Sequence, residues 1–251
     1  MSIFFDLHSD MPREGPGDDA TTSHVWSLIA PHLPPAPEIL DVGCGPGAQS
    51  IVLARASGGR VTATDVHEPF LREVEARAQR AGVADRVRVV RTPMQALPFA
   101  DASFDVVWSE GAAWIMGFAA ALEAWRQLVK PGGFLVVSEL SWVSDAPDAT
   151  ASAFWDEAYP AMRDVAGNRQ AIAAAGLDIV ADVVLPRAAW FGGYLEPLAR
   201  RAEALAAAHR DDAATVRWLA EQRREVEIAR DCDGFEYVFY VARAPELRAS
   251  S

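Results

Sequence analysis

The stretch Glu38-Ile-Leu-Asp-Val-Gly-Cys-Gly-Pro-Gly47 decides the fold of this chain. Its first residues form a short apolar run that a glycine stops, and residues 48–56 continue with the composition of a helix. A strand, a tight turn and a helix are therefore predicted in that order. Such a unit is typical of proteins in which parallel strands alternate with helices.

The same alternation continues along the chain. Further strands are predicted at residues 60–65, 86–91, 104–108 and 133–138. One connecting helix ends at Gly82, and another covers residues 118–129. Because strand and helix alternate through right-handed crossovers, the sheet is expected to be parallel and covered on both faces.

The last third of the chain is richer in helical stretches. Residues 149–163 and 195–230 are predicted to be helical, with a strand at 177–185 and a loop at 190–194 between them. A final strand at 235–242 alternates too little for an edge strand, so we expect it between two neighbours. Helical additions beyond what a sheet needs usually cover or line a site.

The composition excludes several classes of function. The 251 residues carry 23 Lys+Arg and 35 Asp+Glu, a net charge of −12. This charge argues against a binder of nucleic acid or of an anionic membrane surface. The sequence has no apolar run long enough for a membrane span, and its first residues lack the basic region and following apolar region of a signal peptide. We therefore expect neither a transmembrane segment nor secretion. The two cysteines are far apart, which argues against a disulfide framework or a metal site, so we expect a protein of the reducing cytoplasm. A chain of this length is expected to form a single domain.

Ligands of open parallel sheets bind beyond the carboxyl ends of the strands. Beyond the first predicted strand, Gly43, Gly45 and Gly47 allow a ligand to approach the backbone. Asp65 ends the second strand, where a carboxylate suits the two hydroxyls of a ribose. The pattern Gly43-x-Gly45-x-x-Ala48 also fits a dinucleotide-binding turn, so an NAD(P)-dependent oxidoreductase stays open.

Two residues favour a ligand other than a dinucleotide. Asp41 would repel a pyrophosphate, whereas it can hold a cationic amino group. Pro46 removes an amide that a phosphate would use.

Residues 38–47 resemble the first motif of class I S-adenosylmethionine-dependent methyltransferases. Thr64-Asp65, Ser103-Phe-Asp-Val-Val and Leu128-Val-Lys-Pro-Gly-Gly133 resemble later segments of the same family in order. The chain is most similar to the small-molecule branch that contains the ubiquinone/menaquinone-biosynthesis type enzymes. The resemblance implies a Rossmann-like three-layer sandwich with a seven-stranded, mainly parallel sheet, an antiparallel last strand and a helical lid.

The resemblance also implies a division of the chain. The cofactor-binding core is expected at 36–140, after a cap segment at 1–35. Lid and substrate additions are expected at 141–165 and 187–230, and the last strand at 234–242. The residues implied to bind S-adenosylmethionine are Asp41, Gly43, Cys44, Gly45, Gly47, Asp65, Val66, Pro93, Met94, Gln95, Ser109 and Glu110. Pro93 stands where many members carry an acid for the adenine amino group.

The acceptor is expected to be a small molecule. Glu110 and Glu139 follow neighbouring predicted strands at the binding edge, and together with His24 they are the candidates for a general base. Aromatic residues beside these carboxylates suit a cationic or aromatic acceptor. The candidates for this wall are Trp114, Trp142, Trp155, Tyr159, Trp190 and Tyr194. A module that binds the cofactor without catalysis is a further alternative.

Overall fold

The computed structural model describes residues 3–9 and 11–246. A central sheet runs through the described chain. Its strands are β1 (Glu38–Val42), β2 (Arg60–Asp65), β3 (Val87–Arg91), β4 (Phe104–Glu110), β5 (Val129–Trp142), β6 (Arg163–Asp164), β7 (Asp178–Val184) and β8 (Phe235–Arg243). Their order is β3-β2-β1-β4-β5-β8-β7, and the two-residue β6 pairs with the end of β5.

Helices cover both faces of this sheet. They are α1 (Ile3–His8), α2 (Asp19–Ile29), α3 (Ala48–Ser57), α4 (Glu68–Ala81), α5 (Phe118–Arg126), α6 (Ala149–Ala158), α7 (Val165–Ala174), α8 (Arg187–Trp190), α9 (Glu196–Ala208) and α10 (Ala213–Asp231). None of the helices within residues 3–9 and 11–246 is long and apolar enough to cross a bilayer.

The core is divided into two layers by the alternation of side chains along the strands. Ile39 and Val106 pack with the layer that contains α2 and α9, whereas Leu40 and Val107 pack with α5 and α7 on the other face. Because both faces of these strands are covered, apolar side chains on both faces are buried, which explains why the strands read as nearly continuous apolar runs. The predicted three-layer α/β sandwich is confirmed.

The last strand lies inside the sheet. β8 pairs with both β5 and β7 in antiparallel orientation, and the other principal strands pair in parallel. The expectation that residues 235–242 have a neighbour on each side is therefore confirmed, as is the antiparallel last strand that the family resemblance implies.

The region expected to be a loop at residues 190–194 is helical, so that prediction is wrong. α8 ends at Trp190, and a turn of π-helix follows at Phe191–Leu195. Trp190 and Leu195 are both buried in the core, and this packing outweighs the low helix propensity of Gly192 and Gly193. The helix predicted at 149–163 ends earlier, at Ala158, and residues 163–164 form β6.

Two arginine side chains hold the N-terminal segment against the rest of the protein. The Arg77 guanidinium on α4 donates to the carbonyls of Met11 and Pro12, at 3.2 and 2.7 Å. Arg201 on α9 donates to the carbonyl of Asp6 at 2.6 Å. These contacts hold α1 and the following segment above the carboxyl ends of the strands.

Candidate active site

A cavity of about 870 Å³ lies beyond the carboxyl ends of β1, β2, β4 and β5. This volume is in the range of roughly 300–1,000 Å³ that small-molecule sites occupy. One half of the cavity is formed by the glycine turn after β1 and by the ends of β2 and β3. The other half is formed by the end of β5, by α6 and by α10.

Asp65 connects the end of β2 with the glycine turn. Its carboxylate accepts hydrogen bonds from the backbone N–H groups of Gly45 at 3.1 Å and His67 at 2.8 Å. Burial raises the pKa of Asp65, and the backbone donors of His67 and Gly45 oppose that rise. A carboxylate has about four lone-pair positions, so Asp65 keeps acceptor capacity for a ligand in the cavity.

Glu14 lies directly against the glycine turn. A Cβ atom added to Gly45 would be 2.9 Å from Glu14 Cγ, so a larger residue at position 45 would push the N-terminal segment away. Glu14 Oε2 lies 2.7 Å from His8 Nδ1, whereas Glu14 Oε1 is buried without a hydrogen-bond partner. Burial raises the pKa of Glu14 to about 6, against the opposing effect of His8.

Glu110, at the end of β4, is held by three side chains. It accepts hydrogen bonds from Arg13 at 2.9 Å, Thr22 at 2.8 Å and the indole N–H of Trp108 at 2.9 Å. Because the guanidinium neutralises its charge and the other donors occupy its lone pairs, Glu110 is poorly suited to remove a proton from an acceptor.

Glu139 on β5 is in a different situation. The residue is only 3% exposed, it lines the cavity, and its Oε2 atom has no hydrogen-bond partner. Burial raises the pKa of Glu139 to about 7, against a hydrogen bond from Tyr159 that lowers it. A buried acid with a free oxygen and a pKa near neutrality is the form that a general base takes.

Several cavity residues were not predicted from the sequence. The most notable are Glu225 and Tyr237, together with His8, Glu14 and Gln49. Glu225 falls at helical spacing from Trp218 and Ala229, which pack on the core. A charged residue on an otherwise apolar helix face is the signal that could have identified it.

Most of the predicted site residues lie together around this cavity. Those that line it are Gly43, Cys44, Gly45, Asp65, Val66, Met94, Gln95, Glu110, Trp114, Glu139, Trp155, Tyr159 and Tyr194. Val66 is half-exposed in the half of the cavity formed by the glycine turn and the ends of β2 and β3, where an apolar side chain can pack on a flat ring.

Four residues expected at the cofactor lie outside the cavity lining. Asp41 is fully buried and accepts hydrogen bonds from Ser50 and Gln49, and it is Gln49 that reaches the cavity. Ser109 is also buried and donates to the carbonyl of Val42 at 3.0 Å. Gly47 lies against Val74 of α4. Pro93 is exposed and does not line the cavity, although its neighbours Thr92 and Met94 do.

Three residues expected at the acceptor or as a base also lie elsewhere. His24 is exposed on α2 and does not line the cavity. Trp190 is buried in the core, and Trp142 packs edge-on against Phe235 with ring centroids 6.1 Å apart. The structure corrects these three expectations, because packing and not access to the cavity fixes the positions of the two indoles.

No group of three or more His, Cys, Asp or Glu residues with suitable geometry for a metal ion occurs within residues 3–9 and 11–246. The carboxylates of the cavity are instead paired with protein donors or left free.

Residues 39–133 match the methyltransferase domain family. The malonyl-[acyl-carrier protein] O-methyltransferase of Pseudescherichia vulneris is 38% identical over 104 residues, which are 41% of this chain and 39% of that protein. The chain spans between 39% and 48% of the length of this and two further curated relatives.

Solved structures extend the likeness beyond the matched domain. YjhP of Escherichia coli has a TM-score of 0.79 at 25% identity and covers 97% of this chain and 100% of its own. A SAM-dependent methyltransferase of Geobacter sulfurreducens, solved with S-adenosyl-L-homocysteine, has a TM-score of 0.78 at 20% identity, with 96% and 98% of the two chains covered. The fold is therefore shared along nearly the whole chain.

Proposed function

We propose that this chain transfers a methyl group from S-adenosylmethionine to a small-molecule acceptor, because residues 39–133 match the methyltransferase domain family. The observation that carries the proposal is the position of Asp65, which lies at the end of β2, under the glycine turn, and lines a cavity large enough for two ligands.

We call the half of the cavity formed by the glycine turn and the ends of β2 and β3 the cofactor half. Its residues fit S-adenosylmethionine. Asp65 has free lone pairs for ribose hydroxyls, and Val66 and Met94 offer apolar surface for the adenine. Glu14 and Gln49 lie where a cationic amino group would find acceptors, and Glu14 Oε1 has no hydrogen-bond partner among the residues that the structure describes. Asp41 stabilises this region from behind through Gln49.

S-adenosylmethionine supplies a methyl group on a sulfonium sulfur, whose S–C bond breaks as a bond to the acceptor forms and S-adenosylhomocysteine leaves. The protein orients the acceptor, excludes water and accepts a proton where the acceptor has one to lose. α1, α6 and α10 close over the cavity, and Glu139 is the residue placed to take that proton.

The family match favours methyl transfer over the NAD(P)-dependent alternative, which gains no support from it. We further propose that the reaction takes place in the cytoplasm. Cys44 and Cys232 are both free and buried, as is usual for proteins of a reducing compartment.

Calorimetric titration with S-adenosylhomocysteine tests the proposal. We expect micromolar binding by the unmodified protein, and we expect Asp65→Ala to weaken it by about 1.5–3 kcal/mol, as the loss of a charge-assisted hydrogen-bond acceptor does. Asp85→Ala, which removes an exposed carboxylate after α4, is the matched control and should bind normally. Binding of NAD instead of S-adenosylhomocysteine, or equal affinity of the two variants, would overturn the proposal.

A further inference from the structure

We infer that the acceptor is a small organic amine, held as its ammonium form between Glu139 and Glu225. This inference rests on the proposed function, because it names the class of acceptor for the same cavity.

We call the half of the cavity formed by the end of β5, α6 and α10 the acceptor half. It contains polar atoms that have no hydrogen-bond partner among the residues that the structure describes. Glu139 Oε2 is one of them, and the indole Nε1 of Trp155 is another. Both residues are more than nine-tenths buried and both line the cavity. Since a buried polar atom without a hydrogen bond is costly, the free oxygen of Glu139 indicates a ligand that donates a hydrogen bond to it. The indole N–H of Trp155 is itself a donor, so it does not favour an ammonium group.

A second carboxylate lines the same cavity. Glu225 on α10 lines the cavity and makes no hydrogen bond or ion pair with any of the residues that the structure describes. Tyr237 on β8 lies within electrostatic reach of both Glu225 and Glu139. The two carboxylates thus belong to one continuous wall and are not separate surface acids.

The positive charges of the cavity do not balance these two carboxylates. Arg13 is already paired with Glu110 and Asp19. Arg224 is exposed at the rim, where its guanidinium lies 6.0 Å from the Phe154 ring centroid. Arg163 lowers the pKa of Glu139 and His8 lowers the pKa of Glu225, but burial raises each pKa by more. An anionic acceptor would be repelled here, whereas a cation would be attracted.

Aromatic side chains complete the wall around the two carboxylates. Trp155, Tyr159, Tyr194 and Tyr237 line the acceptor half. Indole and phenol faces attract organic cations, and they also pack on an apolar body. The combination selects an amine attached to an apolar or aromatic group over a fully hydrated inorganic cation.

The geometry also provides the proton transfer that an amine requires. An ammonium nitrogen has no lone pair, so it must lose one proton before a methyl group can be attached to it. Glu139 takes this proton through its free oxygen, and the proton returns to solvent when the product leaves. Burial raises the pKa of both Glu139 and Glu225 to about 7, which suits a base that works near neutrality.

The experiment compares three probes of the same shape and different charge: 2-phenylethylamine, 2-phenylethanol and 3-phenylpropionate. Each is titrated at pH 8 into protein saturated with S-adenosylhomocysteine, and binding is measured by calorimetry and ligand-observed NMR. We expect the amine to bind at least about tenfold more tightly than either other probe.

Glu225→Gln should weaken binding of the amine by about ten- to a hundredfold, with little effect on the alcohol. Glu227→Gln, an exposed glutamate on the same helix, is the matched control and should leave all three affinities unchanged. S-adenosylhomocysteine binding should be the same in all of these proteins.

An amine that binds no better than the alcohol, an acid that binds best, or an unchanged Glu225→Gln variant overturns the inference and leaves the proposed function intact. Absence of S-adenosylhomocysteine binding would instead overturn the proposed function.

Discussion

The guanidinium of Arg13 lies 2.9 Å from the carboxylate of Glu110, and both side chains are almost completely buried. This ion pair joins the segment before α2 to the end of β4, which are 97 residues apart in the chain. It therefore fastens the cover of the cavity to the sheet beneath it. Thr22 and Trp108 satisfy the other oxygen of Glu110.

Arg13→Met should strongly destabilise the protein because it leaves Glu110 as a buried charge without its cation. We expect a loss of about 3–5 kcal/mol in the free energy of unfolding, measured by urea denaturation at pH 7. Arg80→Met removes an arginine whose ion pair with Glu73 is exposed and should cost less than about 1 kcal/mol. Equal losses for the two variants would contradict the role of Arg13.

Gly47 should matter for stability and not for cofactor affinity. Its φ angle is +82°, and an added Cβ atom would lie 2.6 Å from Val74 Cγ2 on α4. Gly47→Ala therefore combines backbone strain with overpacking, and we expect a loss of about 2–4 kcal/mol in thermal or urea denaturation. The affinity of the folded variant for S-adenosylhomocysteine should stay unchanged.

Gly82 supplies the matched control for this prediction. Its φ angle of +69° is similar, but an added Cβ atom would have no neighbour within 4 Å. Gly82→Ala should therefore cost only the backbone term of about 1 kcal/mol. A Gly47→Ala variant that is as stable as Gly82→Ala but binds the cofactor poorly would show that Gly47 belongs to the binding site.

The stability of the protein should fall as the pH rises from about 4.5 to 7. In this interval Glu139 is ionised in the unfolded chain but still protonated in the folded protein, because its folded pKa is about 7 against an ordinary value of 4.5. The unfolded state then binds fewer protons, so the free energy of unfolding decreases with pH. Asp41, Glu225 and Glu14 have raised pKa values and act in the same direction.

Glu139→Gln removes the cost of ionising this buried acid. The variant should equal the unmodified protein near pH 4 and should become more stable than it by roughly 2–3 kcal/mol above pH 8. Urea denaturation across this pH range measures the difference. A variant that is less stable than the unmodified protein at pH 8 would show that neighbouring groups stabilise the ionised Glu139 carboxylate in the folded protein.

The sequence predicted the sheet, and it predicted that Asp65 and the glycine turn lie at one edge of it, because both depend on local patterns. Asp65 and the glycine turn are adjacent to predicted strands, so their position follows from the rule that ligands bind beyond strand ends. Glu225 and Tyr237 could not be placed in this way. Their positions at the cavity depend on how α10 packs against α9 and α6 and on how β8 pairs with β5, which no spacing along the chain expresses.

Residues that were assigned wrongly show the same limit. Trp142 and Trp155 lie near each other in sequence and both pack edge-on against Phe235, but only Trp155 lines the cavity. Asp41 has the right sequence position for a ligand, but Ser50 and Gln49 occupy its carboxylate. Tertiary packing decides between equivalent side chains in each case.

The two halves of the cavity come from different parts of the chain. The cofactor half is built mainly from residues within 39–133, and the acceptor half comes from β5, α6, α10 and β8, at residue 139 and beyond. Changes in these later segments can therefore reshape the acceptor half without touching the residues of the matched domain. An engineer could exchange α6 and α10 between such proteins for the same reason.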